Sequence, residues 1–346
     1  MKKQQQQSSQ SHYALVLPGA VARGAYEAGV IEVMAEKNIK IDRIVATSSG
    51  ALNGLAYAVA IRSGCEKEMA KGLAAIWIEY GSWHDSLNFS LWGLISGRGL
   101  SNRDNLIKMM RKLIMPCEGS KKKDVELHII VTPLNGITSQ IGKKPATSYE
   151  KVIKFTGPDF DTPEKLEYVF NVVAAACAFP GLYKPVSIPG LGICIDGGTV
   201  NNAPIKYAIQ ESGVTSVIRP IPFPALMKPG EWKRGLGLLS HLIEVLINER
   251  LFRDLQNAQK LNLKLKQLKS LVSEGALSQK QFEKITNILS FQSVAITEVR
   301  PDHNLKSTSF SGFFHKEDRI RLVEQGRKAA LESLVQTSAR KAKRKQ

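Results

Sequence analysis

The run Ile44-Val45-Ala46-Thr47-Ser48-Ser49-Gly50-Ala51-Leu52-Asn53-Gly54 constrains this chain more than any other. A short β-branched stretch, suited to a strand, feeds a cluster of very small residues, and helical spacing then runs from Leu52 to Ile61. Strand, tight turn and helix together hold a serine hydroxyl at the tip of a sheet. Such a turn is so sharp that its flanks accept little beyond Gly, Ala or Ser. The helix behind it offers unpaired N–H groups and the positive end of its dipole. Small residues between a strand and a helix also make an ordinary turn, so Ser48 as a nucleophile needs support from elsewhere in the chain.

The rest of the chain alternates strand and helix signals. Tyr13 to Leu17 is a short apolar strand leading into Pro18-Gly19-Ala20-Val21-Ala22-Arg23-Gly24, after which Ala25 to Lys37 has helical spacing. A Gly-containing loop there lets consecutive backbone N–H groups converge on an anion. Its spacing is neither G-x-G-x-x-G nor that of a nucleotide P-loop, so no dinucleotide or nucleotide cofactor is expected. Arg43–Ala46, Val125–Val131, Val152–Phe155 and Val214–Arg219 read as further strands. Glu66–Tyr80, Asn102–Ile114 and Lys165–Ala176 read as helices, and Trp83–Leu100 as a lid or a packed loop. Alternation of this kind implies a mostly parallel sheet covered on both faces, with chemistry at the carboxyl ends of the strands.

Leu191-Gly192-Ile193-Cys194-Ile195-Asp196-Gly197-Gly198 delivers a carboxylate to such an end, and two glycines then turn the backbone away. Leu236 to Val272 is leucine-rich and helical with interspersed lysines, Gly275 stops it, and Ser278-Gln279-Lys280-Gln281 forms a capping box for a second helix through Leu289. This helical pair is either an amphipathic cover for the core or a membrane-binding face. Phe291–Val299 reads as a last strand and Glu317–Leu334 as a last helix. The expected organisation is a disordered tail at 1–12, an α/β domain at 13–336 with a helical insertion at about 236–290, and a basic tail at 337–346.

Charge and cysteines narrow the partners. With 48 basic and 31 acidic residues the chain carries +17, a surplus that draws polyanions, whether nucleic acid or an anionic membrane surface. No nucleic-acid-binding signature accompanies the charge, and nucleic acid is not the expected partner. Polar residues after Met1-Lys2-Lys3 replace the apolar core of a signal peptide, and no apolar run reaches the ~20 residues that span a bilayer. A cytoplasmic protein, peripheral to a membrane at most, is therefore expected. Cys65, Cys117, Cys177 and Cys194 lack C-x-x-C spacing and read as reduced, packed thiols; no metal site, zinc or calcium, is expected.

Acyl transfer needs a hydroxyl on a tight turn, a base within reach and N–H donors for the oxyanion. Ser48, Asp196 and the backbone around Gly19 to Val21 are candidates for all three, whereas none of the six histidines lies in a motif. A carboxylate can act without a histidine relay if a dry site raises its pKa.

At these residues a resemblance appears. Leu17-Pro18-Gly19-Ala20-Val21-Ala22-Arg23-Gly24-Ala25-Tyr26, Ala46-Thr47-Ser48-Ser49-Gly50-Ala51-Leu52-Asn53, and Asp196-Gly197-Gly198 with Asn201-Asn202-Ala203-Pro204 resemble the three signature blocks of patatin-like phospholipases, in the family's order. Ala176 to Val186 resembles the segment before the D-G-G motif. The resemblance implies a three-layer α/β/α fold and a Ser48–Asp196 dyad that hydrolyses fatty acyl esters of phospholipid or related lipids through an acyl-enzyme. It also implies an oxyanion pocket at Gly19, Ala20, Val21, Arg23 and Gly24, with Ala46, Gly50, Gly197 and Gly198 as motif positions. The chain departs from the family pattern where Ala20 and Val21 replace glycines and where Ala46 replaces the first glycine of the G-x-S-x-G turn. A β-branched residue is costly at positive φ and narrows the approach to the oxyanion. An active hydrolase and a catalytically weak or inactive lipid- or partner-binding module are thus both open on the residues alone; the oligomeric state is not legible.

Overall fold

A computed structural model of the 346-residue chain describes residues 12–82, 103–114, 122–141, 144–202, 204–209, 213–223, 236–288, 294–303, 305 and 310–343. Strands β1 (Tyr13–Leu17), β2 (Ile41–Ala46), β3 (Glu126–Pro133), β9 (Ser216–Pro220) and β10 (Ala295–Val299) form the parallel part of an eight-stranded sheet. The sheet order is β10-β9-β1-β2-β3-β8-β7, where β7 is Val186–Ile188 and β8 is Gly192–Asp196. The free edge of β3 is shared. Its first half pairs antiparallel with β6 (Lys151–Phe155), and its last residues pair antiparallel with β8, placing Asp196 opposite Val131. The hairpin β4 (Ile137–Ile141) and β5 (Lys144–Ser148) stands apart as its own two-stranded sheet.

Both faces of the parallel strands are apolar, so both must be covered. One face, with Leu15, Leu17, Ile44, Ala46, Leu127 and Ile129, packs under α1 (Gly24–Glu36), α2 (Ser49–Ser63), α3 (Glu66–Tyr80) and α5 (Pro163–Ala176), where α4 is Arg103–Leu113. The other face, with Val16, Val45, Ile130 and Val217, meets Ala208 of the short α6 (Ile205–Ile209) and Val294. The result is a mixed α/β, three-layer arrangement around a mostly parallel sheet, as the sequence implied.

The helical pair is present as α7 (Leu236–Ser273) and α8 (Gln279–Ile288). Gln281 Oε1 accepts from the Ser278 N–H at 2.9 Å, and Ser278 Oγ accepts from the Gln281 N–H at 3.3 Å, the reciprocal pair that starts α8. After the short α9 (Ser311–Phe314), the last helix, α10 (Lys316–Lys343), lies across α1. Their backbones come very close. A Cβ on Gly29 would sit 2.1 Å from the Val323 carbonyl oxygen, and one on Gly326 would sit 2.1 Å from that of Tyr26. Two glycines facing each other's helix are what let α1 be buried from Gly24 to Ala35.

Among the described residues no helix is long and apolar enough to cross a membrane. Cys177 and Cys194 are free and buried, whereas Cys65 is disulfide-bonded, which corrects the expectation of four reduced thiols. Spacing in sequence carries no information on which thiols a fold brings within bonding distance. The polar hairpin β4–β5 and three-residue β7 were not anticipated. Cys117, the 83–102 segment, the tail before His12 and residues 344–346 lie outside the described residues.

Candidate active site

β2 ends at Ala46, and Ser48 follows with φ 51° and ψ −135°, a left-handed conformation that puts its side chain at the apex between strand and helix. The chain then turns at once into α2. Room for that turn comes from missing side chains. A Cβ on Gly50 would lie 2.4 Å from the Leu17 carbonyl oxygen and 2.8 Å from that of Pro18. The extra methyl at Ala46 is accommodated because α2 presents Gly54 to it; a Cβ on Gly54 would come within 3.1 Å of the Ala46 Cβ.

Asp196 terminates β8 and is buried. Its Oδ2 accepts the Ser48 hydroxyl at 2.6 Å and its Oδ1 accepts the Gly198 N–H at 2.7 Å, where Gly197–Thr199 forms a single helical turn. Burial raises the carboxyl from its ordinary 3.8 to about 7, against the opposing pull of the Ser48 and Gly198 hydrogen bonds. The hydroxyl thus meets a carboxyl group that titrates near neutrality.

The β1–α1 loop passes directly over this pair. A Cβ on Gly19 would lie 2.5 Å from the Ser48 Cβ and 3.1 Å from its Oγ. Two of the loop's N–H groups are already engaged: Gly19 donates to Asn202 Oδ1 at 2.8 Å and Ala20 donates to Ser49 Oγ at 2.9 Å. Asn202 returns a bond from Nδ2 to the Gly19 carbonyl at 2.9 Å, so a side-chain amide grips the loop from both sides. Val21 takes φ 54° and opens the helical turn Val21–Arg23; among the described residues its N–H meets no acceptor. Gly24 begins α1 against Trp77, whose indole N–H donates to Asn53 Oδ1 at 2.7 Å, while Asn53 Nδ2 donates to the Gly24 carbonyl at 2.9 Å.

Arg23 is elsewhere. Its guanidinium lies 3.2 Å from Glu244 Oε1 of α7 and 4.6 Å over the Phe223 ring, both partners of the buried side chain being remote in sequence. Beside Ser48 is a small cavity of about 50 Å³ with apolar walls from Val21, Trp77, Phe179, Leu182 and Phe313. Cys177 also borders it, its thiol donating to the Ser48 carbonyl at 3.0 Å. A larger groove of about 770 Å³ opens near the amino ends of β1 and β2, lined by Lys40, Asp42, Glu66 and Lys123, and contains neither Ser48 nor Asp196. Among the described residues no group of His, Cys, Asp and Glu is arranged to hold a metal ion.

Asn202 and Ser49 were visible in the motifs but carried no assigned role. Their partners, Gly19 and Ala20, belong to another block, and only folding joins the two.

A family model described as patatin-like phospholipase matches residues 15–209, more than half of the chain. The chain belongs to the patatin-like phospholipase family. No curated protein matches it. Among solved structures, this patatin-like chain is similar to VipD from Legionella pneumophila, with 14% identity and a TM-score of 0.42 over 94% of this chain and 67% of VipD. It is also similar to the type III effector ExoU, at 11% identity and a TM-score of 0.31 over 93% of this chain and 53% of ExoU. The ExoU–SpcU complex from Pseudomonas aeruginosa gives 14% identity and a TM-score of 0.28, covering 81% of this chain and 59% of that one.

Proposed function

We propose that this patatin-like chain is a serine acyl hydrolase that releases fatty acid from phospholipids or related acyl esters. Ser48 is the nucleophile and Asp196 the base. The observation that carries this reading is the 2.6 Å hydrogen bond from a conformationally strained serine hydroxyl to a buried carboxylate. Asp196 takes the hydroxyl proton as Ser48 Oγ attacks the ester carbonyl, and it returns that proton to the departing alcohol. The acyl group remains on Ser48. Asp196 then removes a proton from water, which attacks the acyl-enzyme carbonyl, and it passes that proton to Ser48 Oγ as the Oγ–acyl bond breaks and the fatty acid leaves. The Val21 N–H, without an acceptor among the described residues and bordering the same cavity as Ser48, is the oxyanion donor this geometry favours, supported by the positive end of α2. The apolar cavity at Ser48 receives the start of an acyl chain. No cofactor is part of this scheme.

A second reading has its own support. The Gly19 and Ala20 N–H groups are committed to Asn202 and Ser49, and Val21 leans a β-branched side chain over a cavity of about 50 Å³. Those features suit a weak or silent module that binds lipid without cleaving it. A fluorophosphonate probe separates the two. Labelling that is present in wild type and absent in Ser48→Ala supports the hydrolase, and no labelling of wild type supports the binding module. In the hydrolase, Ser48→Ala and Asp196→Asn each lower fatty-acid release by at least about 10³-fold while the fold is retained.

A further inference from the structure

α7 exposes apolar side chains along one of its faces. Its inward face carries the buried carboxylate Glu244, paired with Arg23, together with Leu265. The outward face carries Leu242, Val245, Phe252, Leu263 and Leu271, each between 39% and 58% exposed. At about 100° per residue these five fall within roughly a third of the helix circumference, opposite Leu265 and about 130° round from Glu244, and they extend over about 43 Å of its length. Large apolar groups lined up in water along one helix face mark an interaction surface.

Its charge selects the occupant. Lys260 falls within the same sector and Lys264 at its edge, and both are exposed. From Leu255 to Ser273 the helix holds four lysines and no acidic residue. The acidic Glu249 in the stripe is neutralised by Arg253 at 2.6 Å. Exposed apolar side chains with lysines set among them match the boundary between acyl chains and anionic headgroups. We infer that the outer face of α7 docks the protein on an anionic phospholipid bilayer. This inference rests on the hydrolase reading for its biological sense, since docking brings substrate to the enzyme. The inner face of the same helix touches the loop that covers Ser48, through Glu244 and Arg23. Bilayer and reactive serine therefore lie on two sides of one structural element.

The test is sedimentation of the whole chain with phosphatidylcholine vesicles, with and without a quarter phosphatidylserine, alongside hydrolysis of a soluble aryl ester without vesicles. Wild type and Ser48→Ala are expected to sediment with the mixed vesicles and weakly with the neutral ones. Phe252→Glu with Leu263→Glu lowers partitioning on both vesicle types by at least tenfold. Lys260→Gln with Lys264→Gln lowers it on mixed vesicles alone, by about 25-fold, from about fivefold for each basic residue at an anionic surface. All four positions are exposed, so aryl-ester turnover is unchanged in both double variants. Wild type that ignores the mixed vesicles, or both variants partitioning like wild type, overturns the inference. Aryl-ester turnover undiminished in Ser48→Ala would instead remove the hydrolase reading and leave the vesicle result standing.

Discussion

Replacing Asp196 by Asn should make the protein more stable at neutral pH and inert at once. The buried carboxyl of Asp196 titrates at about 7 instead of 3.8 because burial disfavours its charged form. Between those two values the native state keeps a proton that the unfolded chain has lost. Stability of the wild type therefore falls as pH rises across this window, and the full penalty, about 4 kcal/mol, is present above the folded value. An asparagine has no such penalty. Its oxygen can still accept from the Gly198 N–H, and its NH₂ can donate to Ser48, whose hydroxyl turns to accept, so both neighbours stay satisfied. The advantage of the variant should grow by about 3 kcal/mol between about pH 5 and pH 8. With an unfolding entropy of about 2.1 cal/mol/K per residue, that is a relative shift of about 4 °C in the melting midpoint of a 346-residue chain. Thermal melts at the two pH values, followed by tryptophan fluorescence, to which the buried Trp77 contributes, measure it. Midpoints of variant and wild type that run parallel from one pH to the other would refute the desolvation of Asp196, and with it the case for a carboxylate base.

The same titration governs turnover. Since the base must be ionised, kcat/KM should rise with pH through about 7, and a profile flat from pH 5 to 8 counts against Asp196 as the base. Val21→Gly relieves a left-handed β-branched residue, worth about 1–2 kcal/mol, and loses about as much in chain entropy and in packing against the cluster of Ile221 and Phe223. Stability should stay nearly level while aryl-ester turnover rises severalfold, and a fall in turnover would show that the valine serves the site. Asn202→Ala strands the Gly19 N–H and carbonyl, which should cost about 1–3 kcal/mol in urea unfolding and lower kcat more than it raises KM.

What the sequence revealed followed from local chemistry. That Ser48 and Asp196 stand at strand ends is readable because small residues and paired glycines leave few alternatives for either, and the five parallel strands are readable as short apolar runs. The hairpin β4–β5 escaped because Ile137–Ile141 and Lys144–Ser148 are largely polar, include Pro145 and form a two-stranded sheet of their own. The strain at Val21 was expected from residue type, and φ 54° gives it a location. What had no local signature was pairing at a distance. Nothing near Arg23 indicates Glu244, and nothing near Gly19 indicates an amide 183 positions away.

The central seat of β1 has a consequence for how the chain is made. Its neighbour on one side, β2, follows within a few dozen residues, but its neighbour on the other, β9, begins only at Ser216. At translation rates of roughly 5–20 residues per second, the turn at Ser48 can form roughly 7–30 s before Asp196, 148 positions later, is synthesised. Throughout that interval the nascent polypeptide exposes a bare, strongly apolar strand edge, the kind that seeks strands from other molecules. Ribosome-associated chaperones should hold this protein longest just before β9 emerges, and slowing translation there should worsen its aggregation.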